Sequence, residues 1–272
     1  MRKFASICKK KLKETLTPYG YKSWKRAFLK MEKDVFFLID MRGHYSFYGS
    51  GISTVIGVEP YCSNALWDES ELREPVGHND GNLFRLLNKI DPKRFTMEYV
   101  RLLTLAQDDE GMLERLDIIC DILKEYVMPY MENYKDLEFY YNERLASSNS
   151  RRKIISPYAT EDMFGMSIKL KKYENAIHYP NHMMPLLSER MDADRAYFEE
   201  VMGENWREIL RQKKDKNSIY AEKQYAEAEK EFNDLKSAKE ALLSKDYEYL
   251  DLYIEGVEER SRAHHESLLR GK

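Results

Sequence analysis

The stretch "LTPYGYKSWKRAFLK", Leu16–Lys30, joins two different hydrophobic periods. Upstream of it Phe4, Cys8, Leu12 and Leu16 recur every four residues, with Ala5 and Ile7 beside them, which predicts an amphipathic helix over residues 3–17. Pro18 cannot continue a helical hydrogen-bond ladder, and Gly20 permits a left-handed exit, so the helix ends there. After Gly20 the period becomes two, the signature of a strand. Strict alternation puts Tyr21, Ala27, Leu29 and Met31 on one face and Lys22, Trp24, Arg26, Phe28 and Lys30 on the other.

Further strands are expected in "VFFLIDMR" (35–42) and "ISTVIGVEP" (52–60), separated by the polar turn "EKD" and by "GHYSFYGSG" (43–51), read as a turn, bulge or wide loop. Short spacers favour an antiparallel meander. "GHNDGN" (77–82) is a turn signal, and "LFRLLNKI" after it reads as a fourth, edge strand or a short helix. From about residue 96 the pattern is helical. Met112, Leu113, Leu116, Ile119, Cys120, Leu123 and Val127 form one stripe, and a fresh helix opens around Pro129 or after Asn133.

"ASSNSRRK" (146–153) is the linker-like stretch, which divides the chain into an α+β domain, 1–148, and an all-α helical-hairpin domain, 149–272. Helices are expected near 158–171, 173–180, 186–202, 204–214, 217–244 and 246–269. The last two carry the seams Ala221, Tyr225, Ala228, Phe232, Leu235, Leu242 and Tyr247, Leu250, Ile254, Val257, His264, Leu268. They meet at "LSKDY" and form an antiparallel hairpin. An internal echo links Lys171, Tyr173, Glu174 and Tyr179 to Lys245, Tyr247, Glu248 and Tyr253. The offset is near twice the length of a helical-hairpin unit, which suggests a tetratricopeptide-like stack. Its small-residue consensus is only partly met, since Leu250 stands at the position of Ala176.

The 272 residues carry a net charge of −3, unevenly spread. Residues 1–33 hold eleven Lys or Arg against Glu14 and Glu32, a surplus of nine, so the rest of the chain carries −12. That asymmetry implies an acidic partner, either outside the chain or within it. Cys8, Cys62 and Cys120 are isolated, which argues against a disulfide framework or a cysteine zinc site and favours a reduced cytosol. No run approaches the ~20 apolar residues of a membrane span, and no apolar run of signal-peptide length follows the basic N-terminus.

The order of parts resembles the bacterial family catalogued as domain of unknown function 4304. The resemblance is carried by an "L-x-P-x-G-[FY]-K" turn, here Leu16, Pro18, Gly20, Tyr21 and Lys22, and by a "Pro-aromatic" element in a late helix, Pro129–Tyr130. It covers about residues 4–145. It implies an α+β fold with a small antiparallel sheet packed by helices, and no catalytic residue.

The chemistry-bearing groups are sparse. His178 and His182 in "HYPNH" have metal-binding spacing, but Pro180 between them favours a surface turn. The acidic runs "DESE", "DDE" and "MDAD" read as helix caps, with Asp109 and Asp192 in that role. "YGSG" (48–51) matches neither a phosphate loop nor a nucleophile elbow. No cofactor or metal is implied.

Three functions follow. The first is a non-enzymatic cytosolic protein that binds another protein, in a regulatory or toxin-neutralising role, through the stacked helices. The second is nucleic-acid binding through Lys10, Lys13, Lys22, Trp24, Arg26 and Lys30, where cations neutralise phosphates and rings stack on bases. The third is an enzyme with a dispersed site at the domain junction, in a pocket holding Asp40, His44 and Tyr48.

Overall fold

The computed structural model describes residues 2–24, 27–46, 49–64, 83–106, 108–148, 156–213 and 215–270. The fold is α+β, with a small antiparallel sheet packed by helices and a helical C-terminal part. The chain is organised as two units. One is drawn from Met1–Tyr61, Glu74–Tyr140 and Arg262–Lys272, the other from Cys62–Arg73 and Tyr141–Ser261. The chain passes between them at Tyr140–Tyr141, shortly before the expected boundary at 148, and its last residues belong again to the first unit.

In the first unit, helix α1 (Arg2–Leu16) buries Phe4, Cys8, Leu12 and Leu16, the expected stripe. A 3-10 turn at Thr17–Tyr19 follows. Gly20 ends it at φ +86°, and its N–H bonds the Thr17 carbonyl at 3.0 Å. A Cβ-bearing residue is strained in that conformation, which is why glycine stands there.

Strands β1 (Lys22–Trp24), β2 (Ala27–Met31), β3 (Val35–Ser46) and β4 (Gly49–Pro60) form a meander. "GHYSFYGSG" is not a wide loop. Gly43 pairs with Ile52, and the ladder continues to Ser46 opposite Gly49, so its described residues extend one long hairpin. Helix α2 (Leu83–Ile90) occupies "LFRLLNKI", so the helical alternative is the one adopted there. Helix α3 (Met97–Thr104) leads into the short β5 (Leu105–Ala106), which adds to the sheet beside β4.

The β1–β2 hairpin corrects the alternation read from the sequence. Trp24 pairs with Ala27 and Lys22 with Leu29, while Ser23 pairs with Phe28. Directly opposed residues share a sheet face. Lys22 and Trp24 therefore lie on the face of Ala27 and Leu29, and Phe28 and Lys30 on the opposite one. β1 and β2 therefore differ in phase from the single alternation. Phe28 lies opposite Ile39, and Leu29 opposite Leu38. All four are buried, so β2 is covered on both sides and has no wet face. Each such side chain contributes roughly 1.5–3 kcal/mol on burial.

Helix α4 (Asp109–Ile122) is capped by Asp108, whose carboxylate accepts from the Gly111 N–H at 2.8 Å, so the cap is the neighbour of the expected Asp109. α4 runs parallel to α1: Lys11 meets Asp117, Thr15 bonds Cys120, and the Tyr19 hydroxyl donates to the Lys124 carbonyl at 3.4 Å. A π-helical turn spans Leu123–Val127, where the Met128 N–H reaches back to the Leu123 carbonyl. Pro129 explains it. Proline has no N–H and its ring crowds the carbonyl four residues back, so the wider turn makes room. Helix α5 (Met128–Met131), a 3-10 turn at Glu132–Lys135, and helix α6 (Leu137–Ser148) complete the series, and the buried Tyr140 hydroxyl donates to the Val58 carbonyl at 3.1 Å.

The second unit contains α7 (Glu161–Lys169), α8 (Tyr173–Ala176), α9 (His178–Met202), α10 (Trp206–Gln212), α11 (Lys216–Ser244) and most of α12 (Tyr247–Arg270). Helix α9 is continuous where two helices were expected. His178 and His182 both sit in it rather than in a turn. Pro180 is in the first turn, where its missing N–H has no intrahelical partner to lose. Asp192 is interior to the same helix, beside Arg195 at 3.4 Å, and is not a cap. The α12 seam buries Leu250, Ile254, Val257, Ser261 and His265. It drifts one residue from the expected His264 and Leu268, because steps of three and four must average 3.6.

The echo has a structural counterpart. Lys171 and Lys245 are the two non-glycine residues at positive φ among the described residues, at +58° and +60°. Each ends a helix, and the next N–H reaches back five residues: Lys172 to Ser167 at 2.7 Å and Asp246 to Ala241 at 2.9 Å. This is the same helix-ending motif twice. The matched Tyr173 and Tyr247 rings stack on each other, centroids 4.0 Å apart.

Candidate interaction surface

Among the described residues of the basic strip, Lys30 is withdrawn from the surface. Lys10 and Lys13 are exposed on α1 and Lys22 is exposed on β1. Trp24 is half-buried against Ala27, Leu29 and Leu38. Arg26 lies outside the described residues. Lys30 is turned inward and caged: its side chain is only 10% exposed, and its ammonium lies 3.0 Å from Glu32 and 2.8 Å from Glu132. Lys135 touches the same two carboxylates, at 2.9 Å from Glu32 and in close contact with Glu132. The result is a closed ring of two cations and two anions. Together with Lys11–Asp117, it shows that part of the N-terminal positive surplus is answered within the chain.

The ring sits beside buried Tyr21, whose hydroxyl is pushed up by burial and then by Glu132 and Glu32. Burial raises both carboxyls, but the hydrogen bonds from Lys135 and Lys30 outweigh it and hold Glu32 and Glu132 below the usual range. Their folded values are thus lower than their unfolded ones. The stabilisation is complete above the ordinary carboxylate range and is lost as pH falls through the depressed values. Thermal unfolding from pH 7 to pH 3 is expected to show a smaller acid-induced drop in melting temperature for Glu32→Gln/Glu132→Gln than for the parent. An equal drop would remove the ring as its cause.

Of the candidate pocket of Asp40, His44 and Tyr48, two residues have described backbones. Asp40 is buried on β3 opposite Val55, and His44 lies on the same strand opposite Gly51. Four residues of strand separate their backbones by about 13 Å. Tyr48 lies outside the described residues. The buried thiols are not poised nucleophiles either. Burial pushes Cys8 up to about 12 and raises Cys120, which keeps them protonated at neutral pH. Among the described residues no group of three or more His, Cys, Asp or Glu could hold a metal ion, and no helix is long and apolar enough to cross a membrane.

What stands out in the second unit is a set of exposed apolar side chains beside a buried aromatic cluster. Phe198, Trp206, Leu210 and Tyr225 form a buried cluster where α9, α10 and α11 meet, with Phe198 stacked on Trp206 at 4.9 Å and Trp206 edge-on to Tyr225 at 4.9 Å. Arg207 lies over both the Trp206 and Tyr225 rings and bonds Glu229 at 2.8 Å, so the frame is held from outside as well. On this frame Tyr197 and Val201 in the last turns of α9 are 60% and 57% exposed. Ile219 and Tyr220 in the first turn of α11 are 54% and 65% exposed. The short α10 joins these two helix ends, so all four side chains lie at the same end of the α9–α11 pair. Arg190 bonds Gln224 at 3.2 Å and Arg211 bonds Glu222 at 3.2 Å, supplying polar contacts along the same helices.

These four residues lie off the buried seam that the hydrophobic period of the sequence marks. The available signal was their position off it: Ile219 and Tyr220 precede Ala221 and Tyr225 without sharing their face.

Neither a protein-family model, nor a curated protein, nor a solved structure matches the chain.

Proposed function

We propose that this protein is a non-enzymatic, cytosolic bacterial protein that binds and regulates another protein. The observation that carries this reading is the exposure of Tyr197, Val201, Ile219 and Tyr220 at one end of the α9–α11 pair, next to a buried aromatic cluster. Clustered exposed apolar side chains mark association sites, and tyrosine is favoured in binding hot spots because it offers a large stiff surface with a polar tip. The helix-ending motif repeated at Lys171 and Lys245, with Tyr173 stacked on Tyr247, supports reading the second unit as two copies of one helical module, as in repeat proteins that bind partners. The resemblance of residues 4–145 to domain of unknown function 4304 is retained as part of the same proposal.

The test compares the parent chain with Tyr197→Ser/Tyr220→Ser in affinity capture from the native cell. Both rings lie outside the buried cluster, so the variant is expected to fold with an unchanged melting temperature. It is expected to lose at least tenfold of a stoichiometric partner that the parent retains. An identical set of captured proteins for both chains would reject the surface.

A further inference from the structure

The last turns of α12 belong to the first unit, whereas the helix up to Ser261 belongs to the second. Three side chains of those turns reach the sheet: Arg262, His265 and Leu269, spaced i, i+3 and i+7 on one helical face. The Arg262 guanidinium donates to the Glu32 carbonyl at 3.3 Å and to the Lys33 carbonyl, both in the β2–β3 turn, and lies 4.5 Å from the Tyr61 ring. The His265 ring lies against Phe36, centroids 3.8 Å apart and planes tilted by 36°, and stands edge-on 5.8 Å from Tyr61. Leu269 packs on Ala27, Leu29 and Leu38. This is how an amphipathic helix docks in a groove: a cation at the rim, a flat ring in the middle, an aliphatic anchor at the far end.

The fit is incomplete. Tyr61 is fully buried beside Arg262 and His265, yet its hydroxyl has no hydrogen-bond partner among the described residues. A buried donor left unsatisfied weakens the packed state relative to one that satisfies it. Ala263 and Ser267 between the anchors are not buried, so side-chain anchors rather than a continuous apolar stripe hold the segment.

We propose that Arg262–Leu269 is a releasable strap over a helix-docking face of the sheet, and that its competitor is an amphipathic helix of a partner protein carrying a cation, a flat ring and a leucine at the same spacing, with an added acceptor for the Tyr61 hydroxyl. The strap therefore keeps the face occupied until such a helix displaces it. This inference rests on the reading of the chain as an interaction protein, but it concerns a different surface from Tyr197 and Tyr220, so the two can fail separately.

The experiment uses the full chain and a fluorescent synthetic peptide, ERSRAHHESLLR, the sequence of residues 259–270. Peptide anisotropy is measured with the parent chain and with Arg262→Ala/Leu269→Ala, after circular dichroism has shown the variant to be folded. The variant is expected to bind the peptide at least tenfold more tightly than the parent, and a peptide carrying Leu269→Ala is expected not to bind. Equal binding by parent and folded variant overturns the proposal. If the double variant is unfolded, Arg262→Ala alone is followed by hydrogen exchange. Amides of 262–270 are then expected to exchange at least tenfold faster while those of Val35–Met41 keep their protection. Unchanged exchange in the strap, or joint loss with the sheet, also overturns it.

Discussion

Gly165→Ala is expected to unfold the second unit or lower its melting temperature by many degrees. A Cβ at Gly165 would lie 1.8 Å from the Cys62 carbonyl oxygen and 2.7 Å from its carbon. Both obstacles are main chain, so no rotamer change relieves them. Helix α7 would have to move off the Cys62 backbone. Phe164, Met166, Ser167 and Ile168, all buried around Gly165, would lose their packing as it moved. Overpacking costs roughly 1–3 kcal/mol, and a main-chain obstacle places this case at the upper end, about 3 kcal/mol. In a protein of this size that lowers the melting temperature by roughly 6–12 °C. Circular dichroism melting of the parent and Gly165→Ala decides it. Gly203→Ala is the control, since a Cβ there meets nothing within 4 Å and only its φ of +80° is strained. A melting temperature for Gly165→Ala equal to the parent's would show that α7 does not press on Cys62.

Arg144→Ala is the second large effect. Arg144 on α6 donates from Nε to Asp162 Oδ2 at 2.5 Å, and both side chains are mostly buried. Burial pushes the Asp162 carboxyl up. Arg144, the Thr160 hydroxyl and the Met163 N–H more than offset that and hold it below the usual range. Removing Arg144 strands an anion in a site that disfavours charge, at a cost of about 3–5 kcal/mol. Adding Asp162→Asn removes the anion, so the double variant is expected to be more stable than Arg144→Ala alone. The parent's advantage is expected to shrink as acid protonates Asp162, because its folded value lies below its unfolded one. Urea unfolding of the two single variants and the double variant at pH 7 and pH 4 tests both statements. Additive losses, with no recovery in the double variant, would show that the two residues act independently.

Much of the fold can be read along the chain because it rests on local rules. Pro18 and Gly20 end α1 by backbone chemistry that no neighbour can override, and the α4 stripe from Met112 to Val127 is largely buried, as its spacing requires. The strands from Ala27 to Pro60 follow from period two and short turns. Errors arise where a local signal has two physical outcomes. Pro180 disfavours a helix interior but suits a first turn, and α9 takes the second option. The strand pattern after Gly20 runs on paper from Lys22 to Lys30, but β1 and β2 pair antiparallel with Lys22 opposite Leu29, and Lys22 and Lys30 part company.

The candidate sites were less legible, for the same reason in a stronger form. Lys30 looks like a surface cation beside Arg26, yet its partner Glu132 is about a hundred residues away in sequence and nothing near Lys30 announces it. Tyr197 and Tyr220 look like ordinary members of amphipathic helices, and only packing tells which of a helix's apolar residues the neighbours leave uncovered. Residue order thus settled the class of fold, the end of α1 and the uneven charge, each of which depends on chain neighbours. Tertiary structure decided the ring that holds Lys30, the contact between Gly165 and Cys62, and the return of Arg262, His265 and Leu269 to the sheet. Those depend on pairs distant in sequence, whose meeting is selected by the free energy of the whole packed chain rather than by any local propensity.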